Sequence, residues 1–191
     1  MKEEIANQIR QNLIEFDTIQ NKYRLNGVNP FLLLCGTVAQ ESNFLYKRQR
    51  IKTSSGKIEE KGEGCSYFQI EAATALDILY EYVRFKKEGG GFGSRPELEK
   101  ILNRISTINL DKRPTKETIQ NELLNNFKFA TLIARLAYYR QPFSFKIYKS
   151  YDEKVKDYAQ IWKKYFNTVK GAGTIDQFIN NYSKFKVDDL L

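Results

Sequence analysis

From Glu3 to Arg24 apolar residues recur at helical spacing, with Ile5, Ile9, Leu13, Phe16 and Tyr23 separated by charged and amide side chains. That period predicts an amphipathic helix, which Gly27 stops. Asn29-Pro30 signals the next helix, a capping residue followed by proline where the first turn has no use for its N–H. The run that follows, Phe31-Leu32-Leu33-Leu34-Cys35-Gly36-Thr37-Val38-Ala39-Gln40, is apolar nearly all round. A helix with no polar face belongs in the centre of the molecule. Glu41 falls in its last turn, followed by Ser42 and Asn43.

The pattern then changes. Residues 47–66 are polar, with a turn at Ser54-Ser55-Gly56 and short runs around Ile51 and Ile58 that predict a small hairpin. Helical spacing returns from Glu71 to Lys87, carried by Leu76, Leu79, Tyr80 and Val83. Gly89-Gly90-Gly91-Phe92-Gly93 breaks it and predicts a mobile loop. That loop lacks the strand context and the lysine of a phosphate-binding loop. Pro96 opens a short helix to about Ser106. A long helical stretch covers residues 116–140 and ends at Pro142. Further helices are predicted from Asp152 to Asn167 and from Thr174 to Phe185, the last capped by Thr174 after Gly171-Ala172-Gly173. The pattern contains neither repeats nor a dividing linker. The expectation is one mainly α domain over residues 1–191, with residues 1–28 as an N-terminal helix packed on it, a buried central helix and a minor β-hairpin.

Composition narrows the class. With 41% hydrophobic and 14% aromatic residues, the chain can build a core and is not of disordered type. No apolar run is long enough to span a bilayer. Met1-Lys2-Glu3-Glu4-Ile5 places acids at the start, so a secretory signal is not expected. The protein is expected to be made in the cytoplasm and either to remain there or to leave by a route that needs no signal. The two cysteines, Cys35 and Cys65, form neither a disulfide framework nor a metal motif, and they read as unpaired. Nothing in the sequence asks for a cofactor or a metal. A net charge of +8 favours polyanionic partners, either nucleic acid or an anionic cell wall. No zinc finger or RNP-type aromatic signature supports the first, so nucleic acid is not the favoured partner.

Candidate chemistry concentrates at Glu41. The chain has no histidine, so the usual acid/base residue is missing. A carboxyl at the end of an apolar helix resists ionisation, because low dielectric disfavours the charge. A carboxylic acid kept neutral near neutral pH can donate a proton to a glycosidic oxygen. The competing reading is a solvated glutamate at a helix end.

The order of motifs resembles the lysozyme-like superfamily and, more narrowly, phage-encoded lytic transglycosylase-like proteins. Ala39-Gln40-Glu41-Ser42 is similar to the family's Glu-Ser pair at the end of a buried helix. Gly62-Glu63-Gly64-Cys65-Ser66-Tyr67-Phe68-Gln69-Ile70 resembles its Gly-rich approach to an aromatic-Gln-Ile motif. Glu71-Ala72-Ala73-Thr74-Ala75-Leu76-Asp77-Ile78 resembles a Glu-Pro-Ala-Thr and Asp-Ile continuation. Ala134-Arg135-Leu136-Ala137-Tyr138-Tyr139-Arg140 follows. The last block is Trp162-Lys163-Lys164-Tyr165-Phe166-Asn167-Thr168, Gly171-Ala172-Gly173-Thr174, Phe178 and Asn181-Tyr182. The resemblance spans about residues 29–185. Two positions depart from it. Ser66 replaces the usual glycine and Phe166 replaces a tyrosine beside Asn167.

The resemblance implies a lysozyme-like fold and a lytic transglycosylase that cleaves the MurNAc-GlcNAc β-1,4 bond of peptidoglycan. Glu41 would protonate the glycosidic oxygen and then take the proton from the sugar's primary hydroxyl, closing a 1,6-anhydro ring. Ser42, Ser66, Tyr67, Phe68, Gln69, Tyr138, Tyr165 and Asn167 would bind substrate. Asn167 would contact an acetamido group, and Gln69 would hold substrate or Glu41. From their patterns alone, Trp162 and Tyr138 also read as core, as does at least one of Tyr67 and Phe68. A phage setting implies a virion-associated or lysis-phase protein, with other virion or tail proteins as partners and the periplasmic wall as its place of action. Two alternatives stand beside it. One is a lysozyme-type hydrolase using Glu63 or Glu71 as second carboxylate. The other is a non-catalytic virion structural protein that keeps the fold.

Overall fold

The computed structural model describes residues 1–86, 92–167 and 171–191 of the chain. Among them the architecture is mainly helical. Helix α1 (Lys2–Ile19) leads into α2 (Val28–Ser42), the antiparallel hairpin β1 (Arg48–Lys52) and β2 (Ile58–Cys65), and α3 (Ala72–Asp77). A π-helical turn, Ile78–Val83, prolongs α3. A second small hairpin pairs β3 (Arg84–Lys86) with β4 (Phe92–Ser94). Then follow α4 (Pro96–Ile105), α5 (Lys116–Asn125), α6 (Phe127–Tyr139), α7 (Tyr151–Trp162) and α8 (Ile175–Lys184). A π-helical turn, Lys163–Asn167, prolongs α7, and a 3-10 turn, Val187–Leu190, follows α8. No described helix is long and apolar enough to cross a membrane.

Helix α2 is the central rod that its apolar run predicts. Every residue from Phe31 to Ala39 is buried, and α1, α6, α7, α8 and the final 3-10 turn all pack on it. Gly36 sets its distance from α8. A Cβ there would stand 2.7 Å from Phe178 Cζ and 2.8 Å from Tyr182 Cδ2. Helix α1 covers another side of the core with Ile5, Ile9, Leu13, Phe16 and Ile19. The cysteines are free and buried, with Cys35 packing as a small hydrophobe.

Several expected boundaries move. The first helix ends at Ile19, not Arg24. The Gln20 carboxamide captures the N–H groups of Lys22 and Tyr23 and donates to the Tyr23 carbonyl, while Asp17 accepts from Leu25 and Asn26. Side chains thus take over backbone bonds the helix would have used. The stretch 116–140 is two helices, because Asn126 leaves helical geometry and its side chain caps α6 through the N–H of Phe129. It also donates to Ile105 O and Glu122, which ties the corner to α4. The helix expected from Glu71 to Lys87 yields to strand at Arg84, and Lys87 itself lies outside the described residues. Of the loop expected at 89–93, Gly89, Gly90 and Gly91 also lie outside them, whereas Phe92 and Gly93 belong to β4. The polar stretch 47–66 forms the expected hairpin, with Ile51 paired to Glu59 and a turn closed by Gly56 at φ 82°. The capping box at Thr174 is present in full, with Gln177 completing it.

Candidate active site

Helix α2 ends at a cleft of about 450 Å³, and Glu41 stands in its wall. Asn43 adopts a left-handed conformation at φ 53° and terminates the helix there, so Glu41 keeps helical geometry while its side chain reaches the opening. Another part of the lining comes from the π-helical turn after α7. A wider turn brings the consecutive residues Tyr165, Phe166 and Asn167 all into the lining, and π-helical turns of this kind are frequent at functional sites. Helix α6 contributes Ile133, Ala137 and Arg140, one face at helical spacing. Gln69, Glu71 and Thr74 close the third side.

The carboxyl of Glu41 is half-buried and receives a hydrogen bond from Trp162, Nε1 to Oε1, at 2.8 Å. Burial pushes its pKa up from the ordinary 4.5 to about 7, and the Trp162 hydrogen bond acts in the other direction. An indole N–H is a donor only, so Oε1 must accept. When the carboxyl is protonated, the carbonyl oxygen is the better acceptor, which favours the proton on Oε2. Below about pH 7 the group is mostly a neutral acid, with one oxygen held by the indole.

Trp162 is core and site at once. Its ring is fully buried against Phe178, with centroids 5.3 Å apart, and its polar edge meets the acid. Gly173 leaves room for it, since a Cβ there would stand 2.6 Å from Trp162 Cη2. Its amphipathic pattern marks only the buried body. The signal available in sequence was the need of a buried indole for a hydrogen-bond acceptor.

The expected site residues separate into two groups. Gln69, Tyr165 and Asn167 line the cleft with Glu41. Gln69 does not bond to Glu41. Its amide donates to the carbonyls of Tyr46 and Ser66 at 3.0 and 2.8 Å, so it braces the loop around it. The Asn167 Oδ1 accepts from Lys163 Nζ at 2.8 Å. Tyr165 stacks on Phe143, with centroids 5.4 Å apart. Ser66, Tyr67, Phe68 and Tyr138 lie behind the lining. Ser66 is buried at φ 63°, the conformation that favours glycine, and its hydroxyl accepts from the N–H of Phe68. Tyr67 and Phe68 both pack on Phe127. Tyr138 is fully buried, hydrogen-bonds Thr37 at 2.7 Å and stacks under Phe166 at 5.3 Å. It supports a wall residue from behind. Ser42 donates to Val38 O inside α2 and borders a second, smaller cavity on the far side of Glu41. Thr168, the end of the Trp162 block, lies outside the described residues.

Three residues that the sequence did not single out also face the cleft. Gln40 is held by Asn181, whose amide donates to its carbonyl at 2.9 Å. Gln49 reaches over β2 toward Gly64, and Gly62 makes room for its side chain. Arg140 pairs with Asp77, while its Nε is buried without a hydrogen-bond partner among the described residues. Of the two candidate second carboxylates, Glu71 lines the cleft as the exposed residue that precedes α3. Glu63 is exposed and does not line it. Among the described residues no three His, Cys, Asp or Glu side chains cluster as a metal site requires. Comparison of the chain with protein-family models, with curated proteins and with solved structures finds no match.

Proposed function

We propose that the chain is a lysozyme-like, peptidoglycan-cleaving lytic transglycosylase in which Glu41 is the single acid and base. The observation that carries the reading is the Glu41 carboxyl itself, held at a cleft wall, neutral up to about pH 7 and bonded on one oxygen by Trp162. In this reading Oε2 gives its proton to the glycosidic oxygen as the bond to the muramic acid carbon breaks. The carboxylate left behind takes the proton of that sugar's primary hydroxyl as its oxygen closes the anhydro ring, and no water is consumed. Asn167 lines the same cleft, and in this reading it would meet the acetamido group that supports the positive centre. Arg140 and Tyr165 extend the polar lining available to an amide-bearing sugar. The motif order further suggests a phage-encoded protein that other virion or lysis components carry to the periplasmic wall.

A hydrolase reading has one observation in its favour, because Glu71 lines the same cleft. Hydrolysis of either stereochemical kind asks that second carboxylate to activate water or to attack the sugar. The products decide. Purified sacculi digested with the intact chain should yield muropeptides with anhydro ends, one water lighter than those with reducing ends, and Glu71→Ala should retain most of the rate. Reducing ends together with an inactive Glu71→Ala would establish the hydrolase. Tight sacculus binding without any cleavage would establish a non-catalytic protein.

A further inference from the structure

The groove does not end at Glu41. A second cavity of about 260 Å³ opens on its other side, and Glu41, Gln49 and Gln69 border both. Chain that passes the acid therefore continues into a space with a different character. Its walls include Tyr46, Arg48 and Arg50, and no acidic residue other than Glu41.

The two arginines are held in place by contacts that leave charge unspent. The Arg48 Nε donates to the Gly62 carbonyl at 3.2 Å, which fixes the guanidinium, while its two terminal nitrogens make no hydrogen bond among the described residues. Arg50 lies over the Tyr46 ring, 4.4 Å from its centroid, so its plane is supported and its N–H edge is open. Neither forms an ion pair among the described residues, although glutamates stand on the neighbouring strand. Glu59 there is taken by Lys57 and Lys61. A regular strand would point Gln49 away from the face that Arg48 and Arg50 share. The pairing shifts at this point, from Arg48 opposite Cys65 to Arg50 opposite Glu60, and all three residues border the one cavity. Irregularities of this kind re-aim side chains beside sites.

We propose that this arm, built by Tyr46, Arg48 and Arg50, is a subsite for a carboxylate carried by the glycan next to the bond that Glu41 cleaves. Unpaired guanidinium forks match a carboxylate in two-point geometry. On a wall glycan the stem peptides bear such groups. The inference rests on the proposed function and adds a charge requirement on one side of the acid.

The test uses the intact chain on sacculi free of teichoic acid, which removes phosphate as a competing anion. One batch is native and the other has its stem carboxylates amidated. For the unaltered protein, amidation should raise KM about tenfold and leave kcat within about twofold, the signature of binding shared by ground and transition states. The variant Arg48→Gln with Arg50→Gln should show the raised KM on native sacculi and no further loss on amidated ones. Lys57→Gln with Lys61→Gln removes the same charge from the same hairpin outside the cavity, and should keep the full sensitivity to amidation. Arg50→Gln alone, at an exposed position, should show part of the effect, so the test survives if the double arginine variant folds poorly. Equal sensitivity in the arginine variants and the unaltered chain, or sensitivity lost equally in the lysine variant, overturns the subsite while cleavage itself stands. Absence of cleavage of either batch by the unaltered chain overturns the proposed function and the subsite with it.

Discussion

Trp162→Phe removes the one side-chain hydrogen bond that Glu41 makes among the described residues and keeps an aromatic ring against Phe178. The bond favours the ionised carboxylate, so its loss must raise the pKa of Glu41 above its present value of about 7. A hydrogen bond to a charged group contributes about 1.5–3 kcal/mol and one to the neutral acid about 0.5–1.5 kcal/mol, and only their difference shifts the pKa, so the rise is about half a unit to one unit. Water entering the space vacated by the smaller ring would restore part of the bond and places the result at the lower end. A general acid works only while protonated, and its protonated fraction falls as pH rises through the pKa. The alkaline limb of kcat/KM on sacculi, expected near pH 7 in the unaltered chain, should therefore move up by about half a unit or more in the variant. Carbon-13 titration of the glutamate carboxyls, with the Glu41 resonance identified by its absence in Glu41→Gln, measures the same shift without turnover. A smaller core residue also lowers the melting temperature, but a merely structural loss does not move the limb. A limb that stays in place, or moves to lower pH, would refute the assignment of Glu41 as acid with Trp162 as its donor.

Two further outcomes follow from the same geometry. Glu41→Gln should lose about a thousandfold in kcat, within the usual range for a general acid, and retained activity would end the mechanism. Its stability should diverge from that of the unaltered chain with pH. The folded state holds a proton on Glu41 that the unfolded chain releases near 4.5, so the stability of the unaltered chain falls as pH rises from about 4.5 through about 7 and is level above. Calorimetry should find Glu41→Gln more stable by about 3 kcal/mol at pH 8 and nearly equal at pH 4, and parallel curves would show that the carboxyl is not desolvated. Asn167→Ala should lower kcat about tenfold or more with little change in melting temperature, since it lines the cleft and contributes no buried apolar surface. Unchanged turnover would remove Asn167 from the site.

What could be seen in the sequence were the features with a strong local cause. The apolar run Phe31 to Ala39 has no polar face to turn outward, so its central place follows directly. Glu41 at its end, the hairpin around Gly56 and the cap at Thr174 are likewise fixed by neighbours in sequence. Features decided by residues distant along the chain stayed hidden. The break at Asn126 depends on an acceptor at Ile105. Tyr165, Phe166 and Asn167 share one wall because the backbone widens after Trp162, which no helical periodicity announces. Phe68 reads as a sugar platform or as core, and only Phe127 stacked on it settles the choice. Ser66, a departure from the resembled pattern, is buried at a φ of 63° that favours glycine, and its hydroxyl accepts from the N–H of Phe68.

The acid and its donor are placed by helix packing behind the cleft as well as by the cleft lining. Phe178 on α8 touches the point where a Cβ on Gly36 would stand and also packs on the indole of Trp162. Gly36 thereby fixes how closely α2 approaches α8, and α8 fixes the indole against which Glu41 must lie. From the other side Gly173 presses near the far edge of the same ring, with no space for a methyl group between them. The indole is held between Phe178 and Gly173, and α2 is held against the same Phe178, and this packing brings Nε1 within 2.8 Å of Oε1. A close-packed core transmits a displacement of one methylene because it has no voids to absorb it. The protonation state of Glu41 is therefore set by helix packing as much as by the carboxyl's own surroundings. The burial that keeps this acid neutral opposes stability above about pH 7, and the extended core around α2 is what offsets it.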